Sequence, residues 1–258
     1  MKKGKACIGT SGFTYKHWGD GVFYPGELSK SKWLEYYSQF LKSVELNVSF
    51  YRLPSENAFK NWYRQTPDDF SFAVKGSRFI THIKRLNEVE ASLKLFLGRA
   101  KFLKEKLSIV LWQLPPTFTI HIDRLFNFVS LLRKLSTIPF VFEFRNESWF
   151  CEDVYRILEN AHIAVCIADF PKFTGHTPIV TDFVYLRHHR AKQYSHKNCY
   201  SDDELQTDSK RIKAWLKEGK DVFVYFNNDE AGYAVNNAIT LSKLIQKDMI
   251  CLCQSKDM

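Results

Sequence analysis

The segment FVFEFR at residues 140–145 is a short apolar run that ends in two charged residues, Glu143 and Arg145. Its aromatic and β-branched residues favour a strand, and its length is too short for a typical helix. The same pattern recurs along the chain. Apolar runs of this kind occupy residues 6–10, 44–50, 70–75, 107–113, 140–144, 163–169, 183–187 and 222–226. These eight runs predict eight strands.

Helical segments are predicted between these runs, because apolar residues recur there every three to four positions. The predicted helices cover residues 31–41, a segment capped by Ser55, and residues 87–104, 122–135, 202–218 and 231–246. Alternation of strands and helices predicts a parallel sheet, and eight such units in 258 residues predict a TIM-like (β/α)8 barrel of the α/β class. The sixth unit is predicted to have a reduced helix, since Pro171, Gly175 and Pro178 lie in its connection. An open doubly wound sheet is the alternative architecture.

Composition places the chain among globular proteins, with 45% hydrophobic and 25% charged residues. We expect residues 1–258 to form a single domain, with a tail of about ten residues at the end. No apolar run is long enough to cross a membrane, and the start MKKGKACIGTSGF lacks the apolar core of a signal peptide. The six cysteines form no CxxC motif. The sequence therefore predicts a reduced, cytoplasmic protein without a membrane partner.

The net charge of +9 is concentrated in two segments. Residues 75–106 contain nine basic and three acidic side chains, and residues 187–220 contain nine basic and five acidic ones. This excess predicts an anionic partner, either a small phosphate- or carboxylate-bearing molecule or a nucleic acid. Solvated helix faces are the alternative explanation.

Polar side chains follow most of the predicted strands, at the end where each strand finishes. They are Glu45, Asn47, Lys75, Gln113, Glu143, Arg145, Asp169, Arg187, His189 and Asn227. Alternate strand residues face the same side, so these positions converge at one mouth if they form the inward rows. In a β/α barrel the C-terminal mouth is where the chemistry takes place. Ion pairs that only fix loops are the structural alternative.

The residue types at this mouth suit acid–base chemistry on an anion. Glu45, Lys75, Glu143 and Asp169 are the candidate catalytic residues, and Lys75 is also a candidate for forming a Schiff base. Guanidinium groups bind phosphate or carboxylate well. The candidate substrate-binding residues are Thr10, Ser11, Asn47, Gln113, Arg145, Arg187, His189 and Asn227. Thr10 and Ser11 belong to a Gly-Thr-Ser-Gly turn that can hold an anion or simply end the first strand.

No cofactor is predicted. The chain has no GxGxxG, Walker loop or GxSxG motif, and its eight histidines form no HxH or HxxxH pattern. A divalent metal held by Glu, Asp and His side chains from distant strands stays open.

A series of motifs in order along nearly the whole chain carries a family resemblance. They are GTSGF-x-Y-x-x-W at 9–18, FYP at 23–25, VELNVSFYRLP at 44–54, Trp62 with Thr66-Pro67, Phe70-x-Phe72-x-x-Lys75, Gln113-x-Pro115-Pro116, Glu143-x-Arg145 with Ser148-Trp149, Tyr185-x-Arg187-x-His189, YFNND-x-x-G at 225–232 and Asn237-Ala238. On these residues the chain resembles the YecE-like family, a TIM-barrel family that is domain of unknown function number seventy-two.

This resemblance implies a TIM-like barrel and no established activity. A nuclease-like role by analogy with metal-dependent DNA-repair barrels has been considered for such proteins, but the metal ligands of those enzymes are not evident here. The chain departs from the family in two places. Phe13 stands where the family usually has Trp, and Arg190 stands where it usually has Gly, which adds charge at the mouth.

Three functions follow from these observations. The first is an enzyme, a hydrolase, lyase or isomerase, that binds a small anionic substrate. The alternatives are a nucleic-acid-binding or nuclease-like barrel and a non-catalytic ligand-binding protein. The sequence identifies neither the substrate, nor protein partners, nor the oligomeric state.

Overall fold

The computed structural model describes residues 3–169, 177–189 and 199–254. Its strands are β1 (Ala6–Ser11), β2 (Ser43–Leu46), β3 (Ser71–Lys75), β4 (Leu107–Gln113), β5 (Phe140–Glu143), β6 (Ala164–Val165), β7 (Ile167–Ala168), β8 (Phe183–His188) and β9 (Asp221–Phe226). All neighbouring strands pair in parallel, in the order β6-β5-β4-β3-β2-β1-β9-β8-β7.

The sheet curls into a nearly closed barrel. β6 and β7 stand at the two ends of the strand order, yet only Cys166 separates them in the chain. The Cys166 N–H donates to the carbonyl oxygen of Phe142 at 2.7 Å, so the sixth predicted strand bridges β5 and β8 as two short pieces. The predicted barrel of parallel strands is therefore confirmed, and the open-sheet alternative is wrong.

Helices surround the barrel. They are α1 (Trp33–Phe40), α2 (Val48–Tyr51), α3 (Glu56–Arg64), α4 (Glu90–Ala100), α5 (Ile122–Leu135), α6 (Glu152–Asn160), α7 (Asp202–Lys217) and α8 (Tyr233–Gln254), with a π-helix at Phe79–Ile83 and 3-10 turns at Lys16–Trp18, Lys30–Lys32, Lys101–Lys106 and Glu147–Trp149. The prediction for α5 is confirmed to the residue. The Ser55 hydroxyl accepts the Ala58 N–H at 3.2 Å, as the predicted cap of α3 requires.

Three expectations about loops and ends have different outcomes. The helix α8 continues to Gln254, and the segment KDMICLCQ at 247–254 holds no Gly or Pro to stop it, while the tail of about ten residues stays a prediction. In the connection before β8, residues 177–182 form no helix, as predicted. Pro171, Gly175 and Arg190 lie outside the described residues.

Side chains that alternate along the strands fill two separate cores. The larger core lies between the sheet and the helices, and the smaller one fills the barrel. The interior residues are Cys7, Ala73, Ile109, Leu111, Val141, Ala164, Cys166, Phe183, Tyr185, Phe223 and Tyr225. Two residues further along the same rows stand Glu143, Lys75 and Arg187. The alternation of side chains along the strands therefore places polar residues at the C-terminal mouth, above the apolar core of the barrel.

Close packing of β1 against β2 makes the fold sensitive to one glycine. A Cβ at Gly9 would lie 1.9 Å from the carbonyl oxygen of Ser43, whereas a Cβ at Gly98 in α4 meets nothing within 4 Å. We predict that Gly9→Ala destabilises the protein by about 3 kcal/mol or more, because backbone must move. Gly98→Ala, the same substitution on an open helix face, is expected to stabilise by about 0.5–1 kcal/mol. Chemical denaturation measures both, and equal effects would contradict the register of β1 on β2.

Candidate functional site

A buried guanidinium lies at the centre of the mouth. Arg187, near the end of β8, is 1% exposed, and its Nη2 donates to Glu45 Oε1 at 2.8 Å while its Nη1 donates to Glu143 Oε2 at 2.5 Å. The Ser11 hydroxyl oxygen accepts from Nη2 at 3.3 Å, and the Tyr185 hydroxyl donates to Glu45 Oε2 at 2.6 Å. One side chain thus joins the C-terminal ends of β1, β2, β5 and β8.

Glu143 is held as an anion between two arginines. Its second oxygen, Oε1, accepts the Arg145 Nε–H, and His189 Nε2 lies 3.5 Å from the same atom. Burial alone would raise the pKa of this carboxyl, but the charges of Arg187 and Arg145 outweigh it and hold the pKa well below the usual range. Both oxygens of Glu143 and both of Glu45 are occupied. This arrangement suits the positioning of charge better than it suits proton transfer.

His189, Asn227 and Asp169 meet next to Arg145 at the mouth. Asn227 Nδ2 lies 3.0 Å from His189 Nδ1, and Arg145 Nη2 lies 3.2 Å from His189 Nε2. The His189 backbone N–H donates to Asp169 Oδ1 at 2.6 Å, and the Tyr200 hydroxyl contacts the other oxygen. Burial, and then the charge of Arg187, lower the pKa of His189, so its imidazole is neutral at physiological pH.

Lys75 differs from the other charged residues of the mouth because the described residues offer it no hydrogen-bond or ion-pair partner. Its Nζ lies 4.4 Å from the centre of the Phe50 ring, and it makes no hydrogen bond or ion pair within the part of the chain that the structure describes. Burial, followed by the charge of Arg187, lowers the pKa of Lys75 to about 8, although Glu143 and Glu45 oppose the shift. A fraction of this amine is therefore unprotonated, and nucleophilic, at neutral pH.

The remaining predicted residues divide between the mouth and the outer core. Asn47 Nδ2 donates to the Ser11 carbonyl oxygen at 3.0 Å, and its Oδ1 is buried without a partner among the described residues. Gln113 pairs with Glu143 in the β4–β5 register. Thr10 does not join them, because its hydroxyl lies 3.0 Å from the Tyr37 hydroxyl, between the sheet and α1.

A second polar cluster lies in the loops above β1 and β9, and the sequence analysis did not propose it as a site. The Trp18 indole N–H donates to Asp229 Oδ1 at 2.5 Å, and His17 Nε2 lies 2.9 Å from Asp229 Oδ2. Burial raises the pKa of Asp229 against the effect of these two partners. In the sequence, the feature that indicates this cluster is the position of Asp229, two residues after Asn227 at the end of a strand.

Neither a metal centre nor a membrane span is found in the described ranges. Within residues 3–169, 177–189 and 199–254, no three His, Cys, Asp or Glu side chains are grouped so that they could hold a metal ion. No helix in these ranges is long and apolar enough to cross a membrane.

Comparison with known proteins gives one consistent result. A family model described as "Protein of unknown function DUF72" matches residues 7–256. The chain is 28% identical to UPF0759 protein YunF of Bacillus subtilis over 88% of this chain and 92% of that protein. It is 34% identical to UPF0759 protein YecE of Escherichia coli over 33% of this chain and 31% of that protein. The crystal structure of a DUF72 family protein (TM1631) from Thermotoga maritima superposes with a TM-score of 0.80 at 30% identity, covering 94% of this chain and 99% of that chain. The resemblance found in the sequence is confirmed.

The buried ion network predicts a pH-dependent cost for removing its cation. Arg187→Met leaves Glu45 and Glu143 buried without their shared partner, and we expect it to destabilise the protein at pH 7 by about 3–5 kcal/mol. Because the folded pKa of Glu143 is depressed, its stabilising effect is present above the unfolded pKa of about 4.3 and is lost as the pH falls below it. In the variant the carboxylates can accept protons, so the deficit should shrink as the pH falls from 7 towards 4.

Urea denaturation across this pH range measures the effect. Arg156→Met is the matched control, because Arg156 is exposed on α6. A deficit for Arg187→Met that equals the control, or that stays constant with pH, would contradict the assignment of Arg187 as the counter-ion of both carboxylates.

Proposed function

This chain belongs to the DUF72 family of proteins of unknown function, and we propose that it is an enzyme that binds a small anionic metabolite at the mouth of its barrel. In this proposal Lys75 is the reactive group. Glu45 and Glu143 hold Arg187 in place, and Arg145, which is partly accessible, is the guanidinium that contacts the bound anion.

The observation that carries the proposal is the contrast between Lys75, which is partly buried, and Lys106, which is fully buried. Lys106 is 3% exposed, and its Nζ donates to the carbonyl oxygens of Tyr63 and Thr66 at 2.8 and 2.7 Å. Its burial is explained by structure alone. Lys75 is desolvated beside two arginines and two carboxylates, and the described residues offer it no such acceptors. An unsatisfied amine costs folding free energy, so its presence at the mouth favours a functional role.

The chemistry open to Lys75 is that of an amine with a pKa of about 8. It can accept a proton from a bound substrate, with the neutral amine becoming an ammonium. It can also add to a carbonyl carbon, after which water leaves and an imine remains. Either step suits lysis or isomerisation of an anionic carbonyl compound. The candidate binding groups are Ser11, Asn47, Gln113, Asp169, His189 and Asn227.

The proposal is tested by thermal shift against a panel of sugar phosphates, carboxylates and nucleotides at low and high salt. We expect one class of small anion to raise the melting temperature at both salt concentrations, because a ligand that binds only the folded state stabilises it. Mass spectrometry of the ligand after incubation then separates an enzyme from a binding protein. A ligand recovered unchanged under all conditions would contradict catalysis.

Lys75→Met gives a second, independent prediction. The variant should lose the anion-induced shift yet melt at a higher temperature than the wild-type protein at pH 7, because it removes a desolvated ammonium that has no polar partner among the described residues. The unfolded chain binds more protons than the folded chain between pH 8 and 10.5, so wild-type stability gains from Lys75 as the pH rises through this window. The advantage of the variant should therefore shrink over the same range.

Lys106→Met is the matched control. It removes a buried lysine that has three oxygen acceptors, so it should lower the melting temperature and leave the anion-induced shift intact. If Lys75→Met instead destabilises the protein as Lys106→Met does, or retains the shift, Lys75 is a structural residue.

A further inference from the structure

Two short segments form one side of the mouth next to Lys75. They are α2 with the following Arg52, at residues 48–52, and Arg78 with the π-helix, at residues 78–83; we call them the β2–β3 rim. The Ser49 hydroxyl donates to the Lys75 carbonyl oxygen at 2.7 Å, and the ring of Phe50 packs 4.9 Å from that of His82. The two segments therefore pack together directly above the end of β3.

The rim exposes an unusual amount of apolar surface. Tyr51 is 79% exposed, Ile83 62%, Val48 48% and Phe79 42%. These are four of the ten large apolar side chains that are exposed among the described residues, yet they come from only eleven positions of the chain. Single exposed apolar residues need no explanation, whereas a cluster beside a polar cleft marks a binding surface. The ring of Tyr51 offers a flat face for stacking.

The rim also carries uncompensated positive charge. Arg52 and Arg78 are exposed, and neither makes a side-chain hydrogen bond or an ion pair with any residue in the described ranges. Burial, and then the charges of Lys75 and Arg78, lower the pKa of His82 to about 4, which keeps its ring neutral beside these cations. Free guanidinium groups next to an exposed aromatic ring match a ligand that carries both phosphate and an aromatic base.

The backbone of this region is held in rare conformations. The π-helix is a single turn, and Arg85, Leu86 and Glu88 after it have φ values of 48°, 66° and 51°. Such turns and left-handed non-glycine residues occur often at functional sites, where the surrounding structure keeps them in place. The rim is therefore a formed surface rather than an irregular connection.

We propose that the β2–β3 rim binds a nucleoside phosphate, with the base stacked on Tyr51 and the phosphate paired with Arg52 and Arg78. This inference rests on the proposed function and specifies its substrate class, because the rim places such a ligand beside Lys75. The same chemistry is offered by a free nucleotide and by the end of a single strand of nucleic acid. The experiment distinguishes these two sources.

The test measures binding of four probes to the full chain by calorimetry: uridine monophosphate, ribose 5-phosphate, inorganic phosphate and a short oligodeoxythymidylate. We expect uridine monophosphate to bind at least about tenfold more tightly than ribose 5-phosphate, since stacking of one base contributes about 1–3 kcal/mol. Tyr51→Ala should remove this difference. Arg78→Glu should weaken the binding of both uridine monophosphate and ribose 5-phosphate. If the oligodeoxythymidylate binds much more tightly than uridine monophosphate, the ligand is the end of a nucleic-acid strand. If uridine monophosphate binds equally or more tightly, the ligand is the free nucleotide.

The matched controls replace an exposed aromatic residue by Ala and an exposed Arg by Glu at positions away from the mouth. Phe126→Ala on α5 and Arg156→Glu on α6 should bind uridine monophosphate as the wild-type protein does. The rim proposal is overturned if ribose 5-phosphate binds as tightly as the nucleotide, or if Tyr51→Ala and Arg78→Glu match these controls. Binding to anionic lipid vesicles in place of the nucleotide also overturns it.

Lys75→Met separates this proposal from the proposed function. If the variant binds uridine monophosphate normally while Tyr51→Ala does not, the rim is supported as a binding site and the role of Lys75 is contradicted. If a different small anion binds in a Lys75-dependent way and no nucleotide binds, the rim proposal fails and the proposed function stands.

Discussion

The buried pairing of Arg187 with Glu45 and Glu143 is the constraint on which the mouth of this barrel depends. Two carboxylates and one guanidinium come from three strands and are withdrawn from water, so each needs the others. Tyr185 and Ser11 add hydrogen bonds to the group, and Arg187 Nε is left without a partner among the described residues. The network fixes where the ends of four strands lie relative to one another, and it determines the field that every other residue of the mouth experiences.

Burial and the charges of this network together set the protonation of the titratable groups at the mouth. His189 is kept neutral, Glu143 is kept ionised, and Lys75 loses its proton more readily than an ordinary lysine. The two carboxylates are paired with the arginines, which leaves Lys75 as the group available to react with a substrate. This division resembles the way in which enzymes set different pKa values for neighbouring groups at one site.

The sequence predicted the barrel because its strands are short, aromatic and β-branched, and because each ends in a polar residue. His188 and His189 show the same alternation, since His188 lies against α7 at 3.2 Å from Asp208 and His189 lies at the mouth. Thr10 was predicted at the mouth from its turn motif, although the alternation along β1 places its hydroxyl on the side of α1. The partners of Glu45 and Lys75 could not be predicted, because they depend on which strands become neighbours and how deeply each side chain is buried.

The central claim is that Lys75 is a desolvated amine that has no hydrogen-bond or ion-pair partner among the described residues. Its protonation can be followed directly by NMR of the side-chain Nζ in protein labelled on lysine, with Lys75→Met used to assign the signal. The account predicts that this amine titrates near pH 8 in the free protein. Titration at the ordinary lysine pKa of about 10.4 would contradict it, because Lys75 would then be a solvated surface charge and not a reactive group.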